Sequence, residues 1–173
     1  MTAIAFERGL PAALLPDPGW GSFGVIADDV LDLHEAALRE ADPVAELARL
    51  RTRGFRRGAA RMWRDDAGRV VDLTLFEFSE ASAARFSVDD GREAVRANGV
   101  STWAVTGGFA ATVGDGEFRA SVVAVCWDRW QIAAVVEAGA GVRRQAAALA
   151  GAQIDALRRG VLLSSSGAGP SAL

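Results

Sequence analysis

The chain has no lysine and no tyrosine, and only one histidine, His34, and one cysteine, Cys126, among its 173 residues. Without lysine there is no Schiff-base chemistry, and the pyridoxal-phosphate enzymes are excluded. The same absence removes the phosphate-binding residue of a P-loop, and no G-x-x-x-x-G-K-[ST] run occurs. A lone cysteine makes no internal disulfide and no thiolate metal site by itself. A single histidine leaves Ser-His-Asp and Cys-His mechanisms to His34, which falls in a predicted helix, and no nucleophile elbow is present. Zinc-ligand and EF-hand spacings are missing too. No catalytic residue, metal or cofactor is therefore predicted. No apolar run approaches the roughly 20 residues of a membrane span. Met1 to Pro18 lacks a basic segment followed by an apolar core, so no signal peptide is predicted and the cytoplasm is the expected location.

What is present describes a soluble globular domain. Half the residues are apolar and 24% are charged, and the length suits one hydrophobic core. The net charge of −3 argues against nucleic acid as a partner. All 19 basic residues are arginine, which with abundant alanine, glycine and valine reads as the codon bias of a GC-rich genome.

Ser101 to Ala138 is the centre of the pattern and holds three of the five tryptophans. It reads as three β-strands, turning at Gly114-Asp115-Gly116 and at Asp128-Arg129. A two-residue turn at Asp128-Arg129 sets Trp127 opposite Trp130. One face then carries Val123, Val125, Trp127, Trp130, Ile132, Ala134 and Val136, the predicted core under the helices. The other carries Ala120, Val122, Ala124, Cys126, Gln131, Ala133, Val135 and Glu137, either a lightly covered surface or a self-association face. Gly107-Gly108 opens no helix and so is no dinucleotide loop; it marks a bulge or bend.

Around this centre, Met1 to residue 27 reads as an extended arm packing Phe6, Leu14 and Leu15, with a short edge strand from Trp20 to Ile26. Asp28 or Asp29 caps a helix with Val30, Leu33, Ala37 and Leu38 inward, and His34 lies near that stripe. Asp42-Pro43 opens a second helix, with Val44, Leu47 and Leu50 inward and Gly54 ending it. Ala59–Trp63 and Arg69–Phe78 form a hairpin closed by Asp65-Asp66-Ala67-Gly68, and the parity change at Phe76 and Phe78 suggests a β-bulge. A helix through Ala83, Ala84 and Phe86 breaks at Asp89-Asp90-Gly91 and resumes to Gly99. After a break at Gly139–Gly141, Val142 to Arg159 forms a helix with Val142, Ala146, Leu149, Gln153 and Leu157 inward. Residues 28–160 are the predicted domain and 161–173 a disordered tail.

Three features carry a family resemblance: Gly54-Phe55…Gly58…Arg61…Trp63, then Leu75-Phe76-Glu77-Phe78 before the Ala83-Ala84 helix, then the closing helix with Gln153 and Leu157. Over about residues 54 to 160 the chain resembles small actinobacterial α+β domains of the PsbP/Mog1-like fold of LpqN-type lipoproteins. The resemblance implies that fold, a non-catalytic role and no catalytic residues; such domains are often exported or lipid-anchored, whereas no export signal is read here.

The expected fold is α+β, an antiparallel sheet of about five strands with helices mainly on one face. A ferredoxin-like dimeric barrel is the alternative. The expected function is a binding or assembly module that engages a protein partner or self-associates as a homo-oligomer. The alternative is a small-molecule-binding protein or enzyme with a Trp/Arg-lined pocket. The candidate ligand residues are Trp103, Trp127, Arg129, Trp130 and His34.

Overall fold

Seven antiparallel strands form one open sheet in the order β1-β2-β3-β7-β6-β5-β4. The structure is a computed structural model and describes residues 10–40, 42–114, 119–137 and 142–166. Its elements are α1 (Leu10–Ala13), β1 (Phe23–Leu31), α2 (Leu33–Ala37), α3 (Pro43–Thr52), β2 (Phe55–Asp65) and β3 (Val70–Phe78). Then come α4 (Ala81–Ala97), β4 (Thr102–Val105), β5 (Gly108–Val113), β6 (Ala120–Trp127), β7 (Trp130–Glu137) and α5 (Val142–Ser166). The α+β class and the antiparallel sheet are as expected, but there are seven strands rather than about five, and the open order replaces the ferredoxin-like alternative.

One of the extra strands comes from a misread segment. The first strand of the central region is a hairpin, β4–β5, that reverses at Thr106-Gly107 and pairs Val105 with Gly108. Gly107 has φ of +80°, which this turn requires, so the glycine pair marks a full reversal rather than a bulge. At Asp128-Arg129 the expected two-residue turn is present; Trp127 pairs with Trp130, and Asp128 takes φ of +50°. The turn expected at Gly114-Asp115-Gly116 lies, beyond Gly114, outside the described residues, as do the break at 139–141, Phe6 and residues 167–173.

Helices cover both faces of the sheet, not mainly one. On the first, α5 and the arm around α1 enclose Trp63, Val71, Leu73, Leu75, Val123, Val125, Trp130 and Ile132. On the second, α2, α3 and α4 cover Ala60, Phe76, Phe78 and, further along, Phe109, Ala111 and Ala124. This explains the parity change in β3. Its register against β7 is unbroken from Val71 to Glu77, so Leu75 and Phe76 fill opposite cores. The bulge lies instead on β2, between Phe55 and Arg57. The face of Ala124 and Cys126, read as a lightly covered or self-association surface, is partly occupied by α4.

Local preferences give way where a long-range contact overrides them. The stretch from Asp28 to Leu31 continues β1 instead of starting a helix, because it pairs with Arg61 to Gly58 of β2. Asp32 is the cap of α2; its Oδ1 accepts from the backbone N–H groups of His34 and Glu35, while Glu35 accepts from that of Asp32. α4 runs unbroken through Asp89-Asp90-Gly91, with Asp90 ion-paired to Arg53 at 2.8 Å and Gly91 facing the Phe109 ring. Val44 and Phe86 point to solvent rather than into the core. α5 continues to Ser166, past the expected end at Arg159. No helix among the described residues is long and apolar enough to cross a membrane.

The arm is fastened by its main chain. Gln153 of α5, fully buried, donates from Nε2 to the Ala13 carbonyl at 2.7 Å and accepts from the Leu15 N–H at 3.1 Å. Arg61 donates to the Leu15 carbonyl at 2.8 Å, and Trp63 Nε1 to the Pro16 carbonyl at 3.2 Å. Leu14, 4% exposed, is inside the core as expected.

α3 carries one buried carboxylate, Glu46. Burial pushes the Glu46 carboxyl above its ordinary value; the Arg49 guanidinium opposes this, and Glu40 and Asp90 reinforce it. A raised folded-state value contributes stability below the unfolded value of about 4.3, lost as pH rises through the folded one. Glu46→Gln should therefore raise the melting temperature at neutral pH, with the gain vanishing once the pH falls below that unfolded value. A lower melting temperature at neutral pH would mean that the Arg49 pair outweighs the burial cost.

Candidate functional site

Along the first face, paired residues stand in rows across the strands. One row is Trp127–Trp130–Glu77–Arg57 on β6, β7, β3 and β2. The next runs from Val105 of β4 through Gly108 of β5 and Val125 of β6 to Ile132 of β7. Gly108 contributes no side chain to this row. It cannot easily gain one, since a Cβ there would lie 1.9 Å from the Ala124 carbonyl oxygen.

α5 lies over β6 and β7 with Ala146, Leu149, Ala150 and Leu157 buried against them. Its flank toward β4 carries Ala147, Gly151, Asp155 and Arg158, spaced as neighbours on a helix surface. Gly151 has open space where its Cβ would be. Small residues on the helix thus leave a groove of about 390 Å³ between α5 and the sheet. Its floor is Val105, Val123 and Val125, and its far wall is α5 from Ala147 to Arg158.

Trp103 precedes Val105 by two residues on β4, and Trp127 follows Val125 by two on β6, so alternation places both rings on this face. Each is covered by an arginine of α5. Arg143 lies 4.5 Å from the Trp103 ring centroid, and Arg158 lies 5.9 Å from that of Trp127. Arg143 also donates to Thr112 Oγ1 at 3.2 Å, so the arginine at the start of α5 is held by an aromatic face and a hydroxyl. Arg158 is ion-paired to Asp155 at 3.4 Å with both side chains more than half exposed. Such a pair is weak, about 0–1 kcal/mol.

The other sequence candidates fall elsewhere. Trp130 is 3% exposed and belongs to the core. Arg129 is committed to a buried carboxylate: Glu77, 2% exposed, is ion-paired with Arg129 at 2.9 Å and accepts from Arg57 Nε at 2.6 Å. His34 is exposed on α2, which packs against β1, β2 and α3, away from the groove. The structure therefore brings Trp103 and Trp127 to one site and leaves Arg129, Trp130 and His34 outside it.

Sequence reasoning missed Arg143, Arg158, Gly151 and Glu77. Arg143 alone carried a signal, as a cation at a helix start where charge is unfavourable. The groove can enclose an apolar body and present a guanidinium to an anionic group. Its lining holds one carboxylate, Asp155, and one hydroxyl, Thr106. Among the described residues no group of three or more His, Cys, Asp or Glu side chains could hold a metal ion.

No family model matches the chain, and no curated protein matches it. The chain is similar in fold to the extracellular domain of PknH from Mycobacterium tuberculosis, with a TM-score of 0.62 at 14% identity, over 90% of this chain and 97% of that one. The resemblance to an actinobacterial α+β domain is thus met by a mycobacterial structure. The expected cytoplasmic location is corrected by the same finding, because that structure is an extracellular domain.

Proposed function

We propose that this chain is a non-catalytic binding domain that works outside the cytoplasm and holds a small ligand between α5 and β4–β6. The observation that carries the reading is the groove itself. It is apolar along its floor, walled by small residues on α5 and flanked by two tryptophans, each under an arginine. Its lining offers no pair of acid and base, which favours binding over reaction. The location outside the cytoplasm is supported by the fold likeness to an extracellular domain. The finer membership, a PsbP/Mog1-like domain of the LpqN type, is supported by the helix–strand–strand–helix order from α3 to α4 and by the closing helix α5.

The test is native mass spectrometry of the untagged protein, purified gently from separate fractions of a GC-rich actinobacterial host. The expected result is recovery from the envelope or medium with an added small-molecule mass that is absent from Gly151→Leu. Gly151 has open space and lies in a helix interior, so leucine fills the groove while improving helix propensity by roughly 0.8–1 kcal/mol. A bare mass in every fraction, or an adduct unchanged in Gly151→Leu, would remove the groove from the reading. Recovery from the cytosol alone would remove the location.

A further inference from the structure

The groove is polar at one end only. Thr106, in the β4–β5 turn, and Asp155 and Arg158, on successive turns of α5, gather at the end where Arg158 lies over Trp127. Toward Trp103 the lining is Val123, Ala147 and Ala150, and between the ends lie Val125, Gly151 and Ile154. From Ala147 to Arg158 the helix rises about 16 Å at about 1.5 Å per residue. A ligand with polar groups along its length would set them against side chains that accept and donate nothing. A ligand polar at one end alone matches this lining.

The sign of that end follows from the arginine. Arg158 donates from Nη1 to Asp155 at 3.4 Å and lies over Trp127, and its Nε–H and Nη2 hydrogens point to no other group among the described residues. That edge of a guanidinium fits the two oxygens of a carboxylate or phosphate. Asp155 is the one carboxylate in the lining, and it already faces Arg158. Glu77, the nearest buried carboxylate in the adjoining row, is occupied by Arg57 and Arg129 and offers nothing to a cation.

We infer that the groove takes an anionic amphiphile: an unbranched apolar chain along Val123, Val125 and Gly151, with one carboxylate or phosphate at Arg158. The inference rests on the binding reading above and names its ligand class. The chain seats where a side chain is missing, at Gly151, with Ala147 and Ala150 beside it. Trp127 lies beside the head group, so binding reports itself in tryptophan emission.

The experiment is a fluorescence titration of the full chain with dodecanoate, dodecyl phosphate and dodecanol, each below its aggregation threshold. Saturable binding of the two anions, about tenfold tighter than the alcohol, is expected from one charge-assisted hydrogen-bonded pair. The ratio between the two anions tells a fatty-acid head from a phosphate head. Arg158→Gln should remove that tenfold advantage and leave the alcohol unchanged. Gly151→Leu and, as a second block, Ala147→Leu should abolish all three, with circular dichroism confirming the fold.

Equal affinity of wild type and Arg158→Gln for dodecanoate would overturn the head-group assignment. If none of the three binds, yet the native protein carries an adduct that Gly151→Leu loses, the ligand class is wrong and the binding domain stands. If none binds and no adduct depends on Gly151, the binding reading falls with it.

Discussion

Trp63→Ala should lower the unfolding free energy by about 3–5 kcal/mol, seen as a shifted urea midpoint with an unchanged slope. Trp63 is fully buried and pairs with Val71, which pairs in turn with Val136, so its ring fills the row beneath the arm. Truncation opens a cavity among residues already packed from both sides, and the Pro16 carbonyl loses its donor. Trp127→Ala is the informative partner measurement. On sequence alone Trp127 belongs to the core face, but in the structure it is only partly buried, and the fully enclosed ring of the pair is Trp130. Its loss should cost under about 2 kcal/mol. If Trp127→Ala costs as much as Trp63→Ala, the groove side of this face is more closed than described, and the ligand reading weakens.

Gln153→Ala should cost about 2–4 kcal/mol, because two part-buried main-chain groups, the Leu15 N–H and the Ala13 carbonyl, lose the side chain that bonds them. The arm passes over the sheet beside α5, and its contacts with Gln153, Arg61 and Trp63 are main-chain contacts that sequence change in the arm would barely alter. Chymotrypsin should cut faster between Leu14 and Trp20 in the variant. Gln153→Leu separates the two contributions: it restores apolar volume but not the bonds, so the arm should still loosen. Unchanged cleavage together with a loss under about 0.5 kcal/mol would show that apolar packing of Leu10 and Leu14 holds the arm by itself.

Much of the scaffold was legible from local chemistry. Asp42-Pro43 at the start of α3 and Gly54 after its end act as read: Asp42 Oδ1 accepts from the Ala45 N–H at 3.0 Å, and Gly54 takes φ of +71°. The Asp65-Asp66-Ala67-Gly68 turn is also local. Burial pushes the Asp65 carboxyl up, but bonds from the Arg69 side chain and main chain, the Arg69 charge and the Ala67 N–H together hold it below the usual value. The inner line of α5 and the two faces of the β6–β7 hairpin follow from periods of 3.6 and 2.

The candidate site was half legible. Trp103 and Trp127 drew attention as large aromatics in β-rich sequence, but the groove between them is opened by Ala147 and Gly151 of α5, far along the chain from β4 and β6. Nothing near Gly151 says which strands it will face. Arg129 and Arg158 look alike in sequence, and only the register of β3 against β7, which sets Glu77 beside Trp130 and near Arg129, decides that Arg129 is spent in an ion pair. The break expected in α4 failed for the same reason: Arg53, from α3, takes up the charge of Asp90.

By itself, then, the amino-acid order determined the class, the antiparallel pairing of neighbours, both ends of α3 and the exclusion of lysine, P-loop and thiolate chemistry. These rest on residue type and on contacts a few positions away. Tertiary structure alone decided that helices cover both faces, that β1 displaces a helix start, and which arginines pair with Glu77. Each of those depends on a strand or helix remote in the chain arriving with its own side chains, and the energy of that meeting exceeds the local preference it overrides.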